Sequence, residues 1–205
     1  AAVTGEAPPR PDATARMRRV GPARRWLPTI GVLGAVIATT LGGFIVAAML
    51  SAPAGPPVSI PGVVSVQPLT GWEPARPGSV GQRPFVRVTR GSGTLAAVSW
   101  GPFTQGPEQL AVAVRDQVLS DSFDQLTVSE ELTPVAFDDG SIGQRFTFVG
   151  VDRASGSSVE GEVTTAVSSD EQGVAFIGFS SEGLLAFVDD DLRAMVSAAV
   201  VGPAA

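Results

Sequence analysis

Carboxylates are the groups in this 205-residue chain that could do chemistry, because most other reactive side chains are missing. It has no His, Cys, Tyr or Lys, and all fourteen basic residues are Arg. Without His or Lys a serine has no ordinary base to activate it. Without Cys there is no thiolate nucleophile, no disulfide and no sulfur-ligated zinc. What remains are four acidic groups: Glu130-Glu131, Asp138-Asp139-Gly140, Glu160 with Glu162, and Asp189-Asp190-Asp191.

Two paired carboxylates are the minimum for glycoside hydrolysis. Nothing in the spacing brings Glu130-Glu131 to Glu160 and Glu162, and the latter two share one face of a strand. Asp138-Asp139-Gly140 resembles the start of a calcium loop but lacks the alternating oxygen ligands and closing Glu, so it reads as a turn before a strand. Three consecutive helical aspartates diverge by about 100° each, so Asp189–Asp191 cannot converge on a cation and reads as a solvated helix face. No phosphate-binding glycine motif occurs. The expectation is a noncatalytic protein with no metal and no cofactor.

Aromatic and cationic residues offer a binding reading instead. Trp72 and Trp100 are of the type enriched at interface hot spots, although a Trp beside a turn is more often a core plug with its N–H bonded to backbone. Arg83 and Arg87, four apart on a strand, share a face and could meet an anionic partner; pairing with surface carboxylates is the commoner fate. Trp72, Arg83 and Arg87 are therefore the candidate partner contacts.

The elements that must hold these residues follow from pattern. Residues 1–26 carry six Arg against Glu6 and Asp12, a net +4, and read as a disordered basic tail. Residues 27–50 contain no charge and would make a helix of roughly 36 Å, enough to cross a bilayer core of about 30 Å. The flanking Arg18, Arg19, Arg24 and Arg25 place the N-terminus in the cytoplasm and the remainder outside. Ala52-Pro53-Ala54 also fits a signal-peptide cleavage site, but the apolar run exceeds the usual 7–15 residues, which favours an uncleaved single-pass anchor. The chain begins with Ala, so an upstream portion is also conceivable. Within the span, Gly31, Ala35, Thr39, Gly43 and Ala47 form a small-residue stripe suited to close helix packing in lipid. The expected partners are the lipid bilayer and a protein reached through this helix and the exterior domain.

Residues 51–62 are rich in Pro and read as a stiff spacer. From residue 51 onward eight Arg face eighteen acids, a net −10, which argues against nucleic acid. Residues 63–201 read as an α+β domain. It has a short strand at Val63–Val66, a turn at Gly71-Trp72, and a hairpin of Pro84–Thr89 and Thr94–Trp100. A helix runs from Pro107 to about Ser122, with Leu110, Val114 and Val118 inward. Then come a strand in Leu126–Leu132 and a meander of Gln144–Val151, Ser158–Val167 and Gly173–Ser180. A helix at about Ser181–Val200 closes the domain. Phe146, Phe148, Val149, Val151, Phe176, Ile177 and Phe179 put apolar groups on both sheet faces, so both faces need cover. The predicted architecture is an α/β/α sandwich with a mainly antiparallel sheet, preceded by one transmembrane helix.

This order, with Gly71-Trp72, Thr94–Gly101 leading to Pro107, Gly143 before a Phe-rich strand and an amphipathic helix ending in Ser197, resembles the PsbP-like fold. That fold is seen in the extrinsic PsbP subunit of photosystem II and in a Ran-binding nuclear import factor. The resemblance extends most to the LpqN-type envelope proteins of actinobacteria, here with a transmembrane anchor where they often carry a lipidated Cys. It implies an envelope-facing accessory or partner-binding role. A ligand-sensing ectodomain of a signalling protein and an envelope hydrolase using carboxylates alone are the alternative readings.

Overall fold

A computed structural model describes residues 55–202. The basic tail, the apolar span and its stripe of Gly31, Ala35, Thr39, Gly43 and Ala47 lie outside the described residues. Among the described residues no helix is long and apolar enough to cross a membrane.

The core of the fold is an eight-stranded sheet. Its strands are β3 (Glu73–Val80), β4 (Arg83–Arg90), β5 (Gly93–Pro102), β6 (Phe123–Val128), β7 (Thr133–Ala136), β8 (Ile142–Asp152), β9 (Ser158–Val167) and β10 (Gln172–Ser181). The order across the sheet is β3-β4-β5-β10-β9-β8-β6, with β7 also on β8. Every pairing is antiparallel. The predicted hairpin is β4–β5 and the predicted meander is β8–β9–β10. Gly143 sits at the start of β8 because the Phe137 ring passes over it: a Cβ there would stand 2.8 Å from that ring and collide with the Thr165 carbonyl.

The first helix, α1, runs Pro107–Val114, continues through a π-helical turn at Arg115–Leu119, and closes as α-helix at Ser120–Ser122. Pro107 opens it and Glu108 lies in its first turn, as the dipole favours. Leu110, Ala111, Val114, Val118 and Leu119 are all buried, as their spacing predicts. With Phe146, Phe148, Val163, Ala175 and Ile177 they form one core cluster, on what we term the α1 face of the sheet.

The opposite face is covered differently from expectation. The closing helix is shorter than Ser181–Val200: α2 spans Asp189–Ser197, preceded by a single 3-10 turn at Leu185–Phe187. Leu184, assigned to the apolar stripe, is 41% exposed, while Val188, Leu192, Met195, Val196 and Ala199 are buried. Beside α2 lies a small sheet in the order β1-β2-β11, from β1 (Val58–Ile60), β2 (Val64–Val66) and β11 (Val200–Val201). The structured domain thus begins inside the segment read as spacer. Proline there is compatible with β1, an edge strand that pairs only with β2. This layer joins Trp72, Val88, Leu95 and Phe176 in a second core cluster. The architecture is the predicted α+β sandwich, with a mixed helix-and-sheet layer in place of helix alone.

Candidate functional site

The three candidate contacts do not form one site. Strand alternation sends Arg83 and Arg87 to the α1 face, while Trp72 plugs the core of the other. Trp72 is 3% exposed. Its Nε1–H donates to Asp191 Oδ2 at 3.0 Å rather than to backbone. Arg90 pairs with the same carboxylate oxygen and lies 5.3 Å over the indole. Asp191, read as solvated, is thus the acceptor that satisfies a buried N–H and a neighbouring cation.

The other acidic groups are likewise committed. Glu160 accepts the Leu185 N–H at 2.9 Å. Glu162, 4% exposed, meets Arg193 at 3.3 Å and Arg145 at 3.7 Å. Burial pushes its carboxyl above the usual range, and the two guanidiniums oppose that rise. Arg193 also pairs with Asp189 at 2.8 Å. Asp139 accepts the Ser141 N–H at 2.8 Å in the predicted turn, and the Ser141 hydroxyl, then its N–H, hold the Asp139 carboxyl below its ordinary value. Glu131 donates its N–H to Ser129 Oγ.

The concavity that could take a ligand lies on the α1 face. Helix α1 packs over β8, β9 and β10 and leaves β3, β4 and part of β5 uncovered. The space beside its C-terminal end is a cleft of about 430 Å³. Phe85, Val98, Ile177 and Phe179 lie on its sheet side, and Val118, Asp121 and Ser122 come from the π-turn and the last turn of the helix. Asp152 and Arg153 stand at the β8–β9 turn. Two features make the floor. Arg87 has alanines directly beside it on both neighbouring strands, Ala75 and Ala96. The Phe85 ring lies over Gly78, where a Cβ would stand 2.6 Å from it.

Arg87 enters this cleft half-buried, 6.0 Å from the Phe85 ring centroid. Arg83 lies at the side of the cleft, stacked 3.8 Å over Trp100 and donating to Gln117 Oε1 at 2.7 Å. Trp100 in turn meets Phe103 edge-on at 6.4 Å.

A search of solved structures identifies the fold that carries these features. The solution structure of cyanobacterial PsbP (CyanoP) from Synechocystis sp. PCC 6803 superimposes with a TM-score of 0.50 at 10% identity, covering 73% of this chain and 98% of that one. The fold is PsbP-like. The crystal structure of LpqN, involved in cell envelope biogenesis of Mycobacterium tuberculosis, aligns at a TM-score of 0.45 and 11% identity, covering 72% and 90%. No protein-family model and no curated protein matches the chain. In this PsbP-like domain the cleft and its arginines are features that sequence reasoning only half found. Arg83 and Arg87 were singled out by spacing; Phe85, Ala96 and Phe179 carry no local signal of lining a cavity.

Proposed function

We propose that this chain is a noncatalytic, membrane-anchored accessory module. Its PsbP-like domain faces outward from the membrane and docks on a protein partner in an envelope or membrane complex. The observation that carries this reading is the fate of the carboxylates. Glu160, Glu162, Asp139 and Asp191 are each engaged by structural partners, whereas Arg83, Trp100 and Arg87 are only half-buried on a face that α1 leaves partly open. The apolar residues 27–50 supply the anchor, with the N-terminus cytoplasmic.

Purification from native membranes in mild detergent, followed by mass spectrometry, tests the reading. A reproducible co-purifying protein is expected; recovery of a lone monomer sinks it. Replacing Gly43 with Ile separates contacts in the bilayer from contacts outside. If the stripe packs against a partner helix, association should weaken by about tenfold, since such contacts are worth about 1 kcal/mol each. Ile45→Leu should leave it unchanged. Protease added to spheroplasts should digest residues 51–205 and spare the tail; protection of the domain reverses the topology.

A further inference from the structure

We infer that the cleft on the α1 face is a binding site for an apolar monocarboxylate, with Arg87 as the residue that takes the carboxylate. This goes beyond the accessory-module reading and does not depend on it.

The size and lining define the body of the ligand. A volume of about 430 Å³ lies within the range of about 300–1,000 Å³ typical of small-molecule sites. Its walls are mostly aliphatic and aromatic, from Val80, Phe85, Val98, Val118, Ile177 and Phe179. Such a surface favours hydrocarbon and offers a polar ligand little.

The charges define the head. Arg90, Arg115, Arg145, Arg153 and Arg193 each form an ion pair with a carboxylate of this chain. Arg87 forms none among the described residues, and its Nε is buried without a hydrogen-bond partner. A buried guanidinium N–H left unpaired is costly, and a carboxylate matches its donors in a bidentate fashion. The remaining polar lining narrows the choice further. Arg153 is held by Asp124 at 2.8 Å, and Asp152 is capped by the Ala154 and Ser155 N–H groups. Asp121 is exposed and bears a like charge to any anion. One free guanidinium beside two aspartates suits a monoanion. A phosphate dianion needs more donors than this and suffers more repulsion. An apolar chain ending in a carboxylate, the chemistry of a medium-chain fatty acid, satisfies both halves of the cleft.

The test follows the Ile177 methyl resonance in full-length protein held in lipid nanodiscs, so that partition of the probe into lipid does not enter the readout. Octanoate should shift this methyl saturably, and 1-octanol should bind about tenfold more weakly or worse, the difference expected for a charge-assisted pair. Arg87→Gln should erase that preference while leaving octanol binding in place. Ala96→Phe should fill the cleft and abolish both, with the thermal transition retained. Should that variant fail to fold, Arg87→Gln alone decides. No saturable shift at Ile177, equal affinity for acid and alcohol, an unchanged preference in Arg87→Gln, or tighter binding of octyl phosphate each overturns the assignment. Co-purification of a protein partner can succeed or fail whichever result is obtained, so the two readings are tested apart.

Discussion

Two tryptophans near the same hairpin each carry an arginine over the ring, and their fates differ. On the α2 side, Arg90 lies over Trp72, and a carboxylate from 119 residues away, Asp191, bonds both. On the α1 side, Arg83 lies closer over Trp100, at 3.8 Å, but its polar partner is the amide of Gln117. The first pair is closed: donor, acceptor and cation satisfy one another beneath α2. The second is open, because no carboxylate reaches it and α1 turns away before covering β4. The same residue types make a core fastener where a second layer covers them and an accessible surface where it does not.

The comparison is most directly broken by truncating the two indoles. Trp72→Ala should cost about 3–5 kcal/mol in denaturant unfolding, as for other fully buried aromatics. Trp100→Ala, half-buried, should cost less than half as much. Equal losses would mean that the open pair is as structural as the closed one. Next in size are the polar partners. Asp191→Ala strips an acceptor from a buried N–H and should cost about 1–3 kcal/mol. Arg83→Ala removes a half-exposed stacking contact and should stay within about 1 kcal/mol. A reversal of that order would show that the cation, and not the carboxylate, holds the hairpin.

The smallest effect concerns pH. Burial raises the Glu162 carboxyl above its ordinary 4.5, so the folded protein holds this proton more tightly than the unfolded chain. Its contribution to stability is then full below the unfolded value and is lost as pH rises through the folded one. Urea unfolding at about pH 4 and about pH 7 should therefore show the wild type losing stability relative to Glu162→Gln on going to the higher pH. An opposite trend would mean that Arg193 and Arg145 outweigh the desolvation.

Those contrasts also mark what could be read from sequence. The β4–β5 hairpin, the start of α1 at Pro107 and the β8–β10 meander announced themselves through alternation, turn residues and helical spacing. Strand β3 did not: Glu-Pro-Ala-Arg-Pro-Gly-Ser-Val has two prolines and a glycine and is tolerated only because it is an edge strand with an irregular register between Ala75 and Gly78. The two-residue β11 and three-residue β1 are too short to show a period. Helix α2 was overextended because Leu184 and Leu185 continue its apolar pattern into a turn. The cleft was illegible for a different reason. It depends on how far α1 reaches across the sheet, and the Trp72–Asp191 bond depends on which helix turn lands on which strand. Neither is a local property.

The arrangement of β1 and β11 on either side of β2 has a mechanical meaning. The domain's first and last strands are fastened to the same three-residue strand, in the layer opposite the cleft. A pull transmitted through residue 58 would load three residue pairs of β1 against β2 and peel them one at a time, well before the long ladders of the main sheet carry any strain. Such a domain has a weak link at its point of attachment and a stiff body beyond it. It could yield by a few residues under tension while the cleft on its far face keeps its shape.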